Sequence, residues 1–392
     1  MQKAKLIPFF QDHRKDKIMG LLKGTLTFSR YRLPGDLPGR FHDLIDRQIK
    51  RHAFQELSSP SEEKSSGWTG LENILDTHFE KANYATGDYL TFSFRLDRKI
   101  IPPSLLKLKF LEAEKKILKG SRKYISKDQR EEIKERVRLE LLDRAHPIPS
   151  FYDVCWSLSA KWLIFSSLSP KVQEEFEGLF KKTFDLPLLP FVPWDTKYVD
   201  RPMAGQVASL KGGAFLSQQD SNGDPSDPGV LGREFLTWLW FKSEERGGAV
   251  MVPGIGDLEV IFARRVVLES GEGEYAESVL CQGLHSDLKE GKAAIHEGKK
   301  IKEARIQLGK GTDQWEFTLK ADRFQFQSLK LPSNMNMGEE MDDKEGRLLE
   351  RIYLIETALK TMDQLFSFFL SRRLSPQWST EEIPRIKKWV QK

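Results

Sequence analysis

Residues 107–146, KLKFLEAEKKILKGSRKYISKDQREEIKERVRLELLDRAH, decide how the chain is laid out. This stretch is heavily charged, yet an apolar rhythm runs beneath the charges. Stepped at 100° per residue, Leu106, Phe110, Ala113 and Ile117 share one face of a first helix, and Lys109, Lys115, Lys116 and Lys119 gather on another. Gly120-Ser121 breaks the run. A second helix starts at Ser126, whose hydroxyl caps while Gln129 completes a capping box. On it Ile133, Val137 and Leu141 form the buried stripe, with Lys127, Arg130, Lys134 and Arg138 beside it. The spacing therefore predicts a helical arm over residues 103–145 with basic strips that remain unneutralised. Asp128, Glu131, Glu132 and Glu135 fall mostly on the opposite side.

Outward from the arm, the rest of the chain alternates strand and helix patterns. LLKGTLTFSRYR at 21–32 alternates with period two, and Phe41, Leu44, Ile45 and Ile49 recur at helical spacing. SSPSEEKSSG at 58–67 reads as a loop, and YLTFSFRL at 89–96 as a strand that leads through Pro102 and Pro103 into the arm. FYDVCWSLSAKWLIFSS reads as a hairpin, after which Ser169-Pro170 opens a helix with Val172, Phe176, Leu179 and Phe180 inside. Residues 213–230 are rich in Gly, Pro, Ser and Asp and read as a mobile loop. REFLTWLWFKSEER then reads as a helix whose Trp238, Trp240 and Phe241 pack in a core, followed by five strand patterns up to RFQFQSLKL. A second loop, SNMNMGEEMDDKEG, precedes a long helix. There Leu348, Ile352, Ile355, Leu359, Met362, Phe366 and Phe369 recur at spacings of four and three, which fits packing on the sheet or a coiled coil.

These patterns predict an α+β fold with mixed, largely antiparallel sheets, a projecting basic helical hairpin and a long C-terminal helix. The expected divisions are a disordered extension over residues 1–19 and an α+β region over 20–198 that includes the hairpin and helix of 151–193. An insertion over 199–285 and a C-terminal sheet with the long helix over 286–392 complete the chain.

The chain has 392 residues and a net charge of +5, and its charge is unevenly placed. Residues 1–200 hold 35 basic and 28 acidic side chains, and residues 107–144 alone hold 13 and 8. Such clustering is the footprint of a polyanion binder or of a solvated helical face, and composition leaves both open. No run of about 18 apolar residues is present, which predicts a cytoplasmic chain. Cys155 and Cys281 stand alone, without the spacing of a thiolate metal site or a disulfide framework.

Catalytic constellations are thin. GKGT at 309–312 lacks the spacing of a phosphate loop and reads as a turn between strands. GIGD at 254–257 precedes a strand pattern rather than the helix that a dinucleotide site requires. The seven histidines form no HxH or HExxH pair, and His285 and His296 read as loop or surface residues. Asp257 with Glu259 is the one carboxylate pair that suggests a metal-dependent nuclease. The expectation is a protein without enzymatic activity, cofactor or metal. The nuclease and a coiled-coil scaffold that ignores nucleic acid are the rival readings.

The order KIIPPSLLKLKFLEAEKK, the basic second helix ending LLDRAH, SPKVQEEFEGLFKKTFDLPLLP, SDLKEGKAAIHEGKKIKEARIQL and the pair Gly67-Trp68 together resemble the RdgC family of recombination-associated proteins. The resemblance covers about two thirds of the chain, from Gly20 to Pro193 and again from Leu280 to Arg373. It implies a bacterial, nucleoid-associated, ring-shaped homodimer that binds double-stranded DNA with little sequence preference and hinders the RecA recombinase, with no cofactor. It aligns Lys123 and Arg144 with basic positions that contact DNA in the family, sets Lys99 at the basic start of the arm, and with a small gap matches Gln282 to a polar residue near the hole. The strip residues Lys109, Lys116, Lys119, Lys127, Arg130, Lys134 and Arg138 then become candidate DNA contacts. The family reads Pro-Arg-Ala-Phe where this chain has Asp143-Arg144-Ala145-His146, so His146 replaces an aromatic dimer contact. The resemblance starts near Met19, which would be a natural initiator, and leaves residues near 194–280 without a clear counterpart.

Overall fold

A computed structural model describes residues 20–35, 41–59, 61–80, 84–120, 124–210, 229–270, 278–283, 289–333 and 344–391. The expected N-terminal extension, Lys123, His285 and most of the two loops at 213–230 and 333–346 lie outside the described residues.

In chain order the elements begin with β1 (Leu26–Arg32), α1 (Phe41–Arg51), β2 (Lys64–Thr69), β3 (Ala85–Thr86) and β4 (Tyr89–Lys99). The arm helices α2 (Pro103–Gly120) and α3 (Lys127–Arg144) follow, then β5 (Pro147–Ser157), β6 (Trp162–Phe165), α4 (Pro170–Phe184) and β7 (Leu189–Pro190). Next come α5 (Arg201–Ser209), α6 (Val230–Glu245), β8 (Ala249–Val252), β9 (Gly256–Glu269), β10 (Ser278–Gly283) and α7 (Lys289–His296). The chain ends with β11 (Lys300–Lys310), β12 (Asp313–Lys320), β13 (Gln325–Lys330), α8 (Lys344–Arg373) and α9 (Ile383–Val390).

The strands join in the order β10-β9-β11-β12-β13-β1-β6-β5-β4-β2, and the ladders between them are antiparallel, as the strand patterns predicted. The junction is β1. Leu26 and Phe28 pair with β13, whereas Ser29 to Arg32 pair with β6. One strand thus makes the two halves of the chain continuous.

Two cores lie against this sheet. In the first, Phe92, Phe94, Trp156 and Phe165 meet Phe41 and Ile45 of α1 and Phe176, Phe180 and Phe184 of α4. Phe165 and Phe176 stack with centroids 3.9 Å apart, and Trp68 Nε1 donates to Thr183 Oγ1 at 2.9 Å, which satisfies the buried indole. In the second, α6 and α8 cover β8, β9 and β11 to β13. Trp238, Trp240 and Phe241 are buried there, as expected. All seven residues of the α8 seam are buried within the chain. The sheet has therefore taken the apolar stripe that a coiled-coil scaffold would need.

Several segments depart from the sequence reading. Lys64–Thr69, of which Lys64 to Gly67 fall in the loop expected at 58–67, is a strand paired with β4 from Lys64↔Arg98 to Thr69↔Ser93. Its Ser-Ser-Gly composition is overridden by partner hydrogen bonds and the burial of Trp68. The helices α5, α7 and α9 and the strand β8 were not foreseen, because short elements carry too few periodic positions to register. The GIGD and GKGT segments are hairpin turns, between β8 and β9 and between β11 and β12. Gly311 sits at φ +61°, which the tight second turn requires.

Candidate nucleic-acid interface

The arm grows from a hairpin of the sheet. β4 and β5 pair without interruption from Tyr89↔Ser157 to Lys99↔Pro147, and α2 and α3 are inserted at that last pair. Pro102 and Pro103 stand at the entry, where a missing amide costs nothing. Eighteen helical residues extend about 27 Å from the sheet. The second helix begins as its sequence predicts: Ser126 accepts from Gln129 N at 3.3 Å and Gln129 Oε1 accepts from Ser126 N at 3.2 Å. A small core, separate from the two large ones, holds the helices together. Ile125, Ile133 and Val137 are buried against Leu106, Phe110, Ala113, Ile117 and Leu141.

This core divides the basic residues into two flanks. On one, a groove with a cavity volume of about 460 Å³ runs between α2 and α3, and Lys109, Lys116, Arg136 and Arg144 line it together with Glu112 and Glu140. Lys109 pairs with Glu112 at 2.8 Å, and that ammonium holds the Glu112 carboxyl below its usual range. Lys116, Arg136 and Arg144 are exposed and make no ion pair with described residues. Arg136 was absent from the candidate set. Its signal was available, since residues 136, 140 and 144 recur at spacing four on the side of the buried stripe away from Lys134 and Arg138.

The other flank is partly neutralised, which corrects the expectation of free strips. Arg130 Nε donates to Glu114 at 2.5 Å, and Glu114 is buried between the helices. Arg138 Nη2 donates to both oxygens of Glu63 at 2.7 and 2.8 Å, and Nη1 to Glu135 at 3.0 Å. Its hydrogen bonds to Glu63 and then to Glu135 raise the Arg138 guanidinium above its usual range. Glu63 lies just before β2, and its carbonyl accepts Lys99 N at 2.8 Å. The Glu63–Arg138 pair therefore braces the arm against the sheet. Lys127 and Lys134 on this flank, and Lys119 near the end of α2, are exposed.

The remaining candidates scatter. Lys99 sits half-buried at the foot of the arm, and His146 is exposed in the link from α3 to β5, beside exposed Ile148. Gln282 lies on β10 opposite Arg265, and seven strands separate β10 from β4 in the sheet order. Within one chain the structure brings Lys109, Lys116 and Arg144 together and leaves Gln282 apart. Asp257 and Glu259 are exposed on β9, and no group of three His, Cys, Asp or Glu side chains among the described residues could hold a metal. No described helix is long and apolar enough to cross a membrane.

Residues 27–204, which contain β1, the arm and α4, match the family model described as "Putative exonuclease, RdgC". Residues 27–204 are thus similar to the RdgC family. A 151-residue stretch is also 28% identical to the recombination-associated protein RdgC of Ralstonia nicotianae. That alignment covers 37% of this chain and 46% of the relative, so it spans about half of the relative's length. The arm thus belongs to the part of the chain that is RdgC-like. The matched segment ends inside α5, ahead of α6 and the strands from β8 to β13.

Proposed function

We propose that this RdgC-family chain binds double-stranded DNA through the arm, largely without reading its sequence, and limits the access of a RecA-type recombinase to the DNA it occupies. It acts as a ring-shaped homodimer in the nucleoid, without catalysis or cofactor, and contributes to recombination and replication. The observation that carries this reading is the groove in which Lys109, Lys116, Arg136 and Arg144 converge on an arm about 27 Å long. Such a set neutralises phosphates without presenting a base-reading helix to the major groove.

The family description favours a second reading, an exonuclease. One experiment separates the two. Linear and circular duplexes are incubated with the protein and Mg²⁺ or Mn²⁺, then resolved under native and denaturing conditions, while solution mass is measured with and without DNA. Retarded but intact strands and a dimer mass support the proposal. Shortened strands establish the nuclease instead, and absence of retardation at low salt removes DNA binding.

A further inference from the structure

A second polar site lies away from the arm, where β1 crosses under α8. Leu26 and Phe28 of β1 join the core beneath α6 and α8, whereas Tyr31 joins the opposite one. By strand alternation Arg30 and Arg32 continue the Leu26–Phe28 face. Arginines therefore occupy two positions where that face would otherwise continue apolar.

Arg30 is 8% exposed. Its Nη2 donates to Asp363 at 2.8 Å, yet its buried Nη1 has no hydrogen-bond partner among the described residues. Leaving a charged donor unpaired away from water is costly unless a ligand completes it. Arg32 is two residues on, with its Nη1 donating to the Ala160 carbonyl at 2.9 Å. Both guanidiniums lie over the Phe191 ring, at 4.2 and 5.1 Å from its centroid. Burial, and then the charge of Arg30, make Arg32 easier to deprotonate than a free arginine.

These groups border two adjoining clefts. The first, about 140 Å³, has Arg30, Arg32 and Phe191 on one side and Trp162, Leu359 and the ion pair of Glu356 with Lys360 among its other walls. The second, about 310 Å³, shares Arg32, Phe191 and Asp363 and adds Asp200 and Tyr198; the buried hydroxyl of Tyr198 also has no partner among the described residues. Unpartnered donors at a cationic corner, with flat apolar walls beside it, suit a phosphate attached to something planar.

We propose that the cleft between β1 and α8 binds a phosphate group, borne by a nucleoside monophosphate or supplied as free phosphate, with Arg30 and Arg32 as its receptors. The guanidiniums take the phosphate oxygens, the Tyr198 hydroxyl donates from the adjoining cleft, and Phe191 and Trp162 flank the remainder. This site is independent of DNA binding by the arm.

Isothermal titration of the full chain with AMP, inorganic phosphate and adenosine tests it. Arg30→Gln and Arg32→Gln serve as site variants, and the double variant Lys116→Ala/Arg144→Ala controls for phosphate on the arm. One site per chain for AMP, weakened about tenfold or more by Arg32→Gln and unchanged in the arm variant, is the expected result. Binding of AMP more tightly than phosphate identifies the nucleotide as the source, and equal binding identifies free phosphate. Because Arg30→Gln can unfold the chain, Arg32→Gln decides wherever the melting curve of Arg30→Gln is altered. Absence of heat for both AMP and phosphate at millimolar concentration overturns the proposal. So does binding that survives Arg32→Gln undiminished or disappears with the arm variant.

Discussion

If the groove is the DNA-binding surface, the two flanks of the arm must respond differently to salt. Lys116, Arg136 and Arg144 have no described ion-pair partner, so each phosphate they take releases a counterion. Three such contacts per chain, six in the proposed homodimer, give a slope of log K against log salt of about −5.4, or roughly 1,800-fold weaker binding between 50 and 200 mM. Lys116→Ala with Arg144→Ala leaves one contact per chain, a slope of about −1.8 for the dimer and a loss of only about 12-fold over that range. Arg138→Ala instead removes a charge that Glu63 and Glu135 already compensate, so its slope should match that of the parent chain. Fluorescence anisotropy with a labelled duplex at four salt concentrations measures all three slopes. Two duplexes of unrelated sequence should give the same values. Equal slopes for the parent and the groove variant, or a slope change in Arg138→Ala as large as in the groove variant, would refute the assignment of DNA to this groove.

Two further outcomes follow from the local chemistry. Ser126→Ala removes the oxygen that caps α3 and should destabilise the arm by about 1 kcal/mol, read as faster amide exchange over residues 127–131 with the main melting transition preserved. Asp153 is half-buried beneath the start of the described chain, accepting from Leu21 N at 2.7 Å and Ser93 Oγ at 3.3 Å; desolvation of the carboxyl raises its pKa despite these donors. A folded-state pKa above the unfolded one means that the native state holds this proton more tightly. The contribution is therefore full below the ordinary aspartate range and is lost as pH rises through that range toward the raised value. Asp153→Asn should flatten this segment of the stability–pH curve in denaturant titrations, and an unchanged curve would show that Asp153 titrates normally.

The arm was legible because its signals are local. A capping box and a four-residue apolar spacing both act within a few residues of where they are written. The α8 seam was legible for the same reason, but the choice between sheet and coiled coil depended on whether a sheet was there to receive it. What the sequence concealed was contact between distant residues. Arg138 looked free because Glu63 lies 75 positions away, and Glu114 meets Arg130 only once the two helices have packed. The spacing of 136, 140 and 144 places Arg136 on one flank of α3, but only the packing of α2 makes that flank a groove wall. The junction role of β1 was equally hidden, since it arises from two partners, β13 and β6, that take different halves of one strand.

Gly67 shows how such a distant contact constrains the base of the arm. A Cβ built on Gly67 would overlap Phe54 Cα and lie 2.6 Å from Phe54 N and 2.9 Å from the Ala53 carbonyl carbon. These are backbone atoms, so no rotamer change relieves the clash. They are also held in place: Phe54 N donates to Trp68 O at 2.8 Å, Trp68 N donates to His52 O at 3.1 Å, and Arg95 lies 3.9 Å over the Phe54 ring. Gly67→Ala must therefore push the 52–54 segment away and break this parallel bridge, or displace β2 from β4. Overpacking of this kind costs roughly 1–3 kcal/mol, and the lost backbone pairs add to it. The consequence reaches the arm, because Glu63 directly precedes β2 and holds Arg138. Gly67→Ala should lower the melting temperature and also expose α3 to proteolysis near Arg138, whereas Arg138→Ala should reproduce the proteolysis without the same loss of melting temperature. A Gly67→Ala chain with native melting and native proteolysis would show that the 52–54 segment yields freely, and that the arm does not depend on the sheet edge for its position.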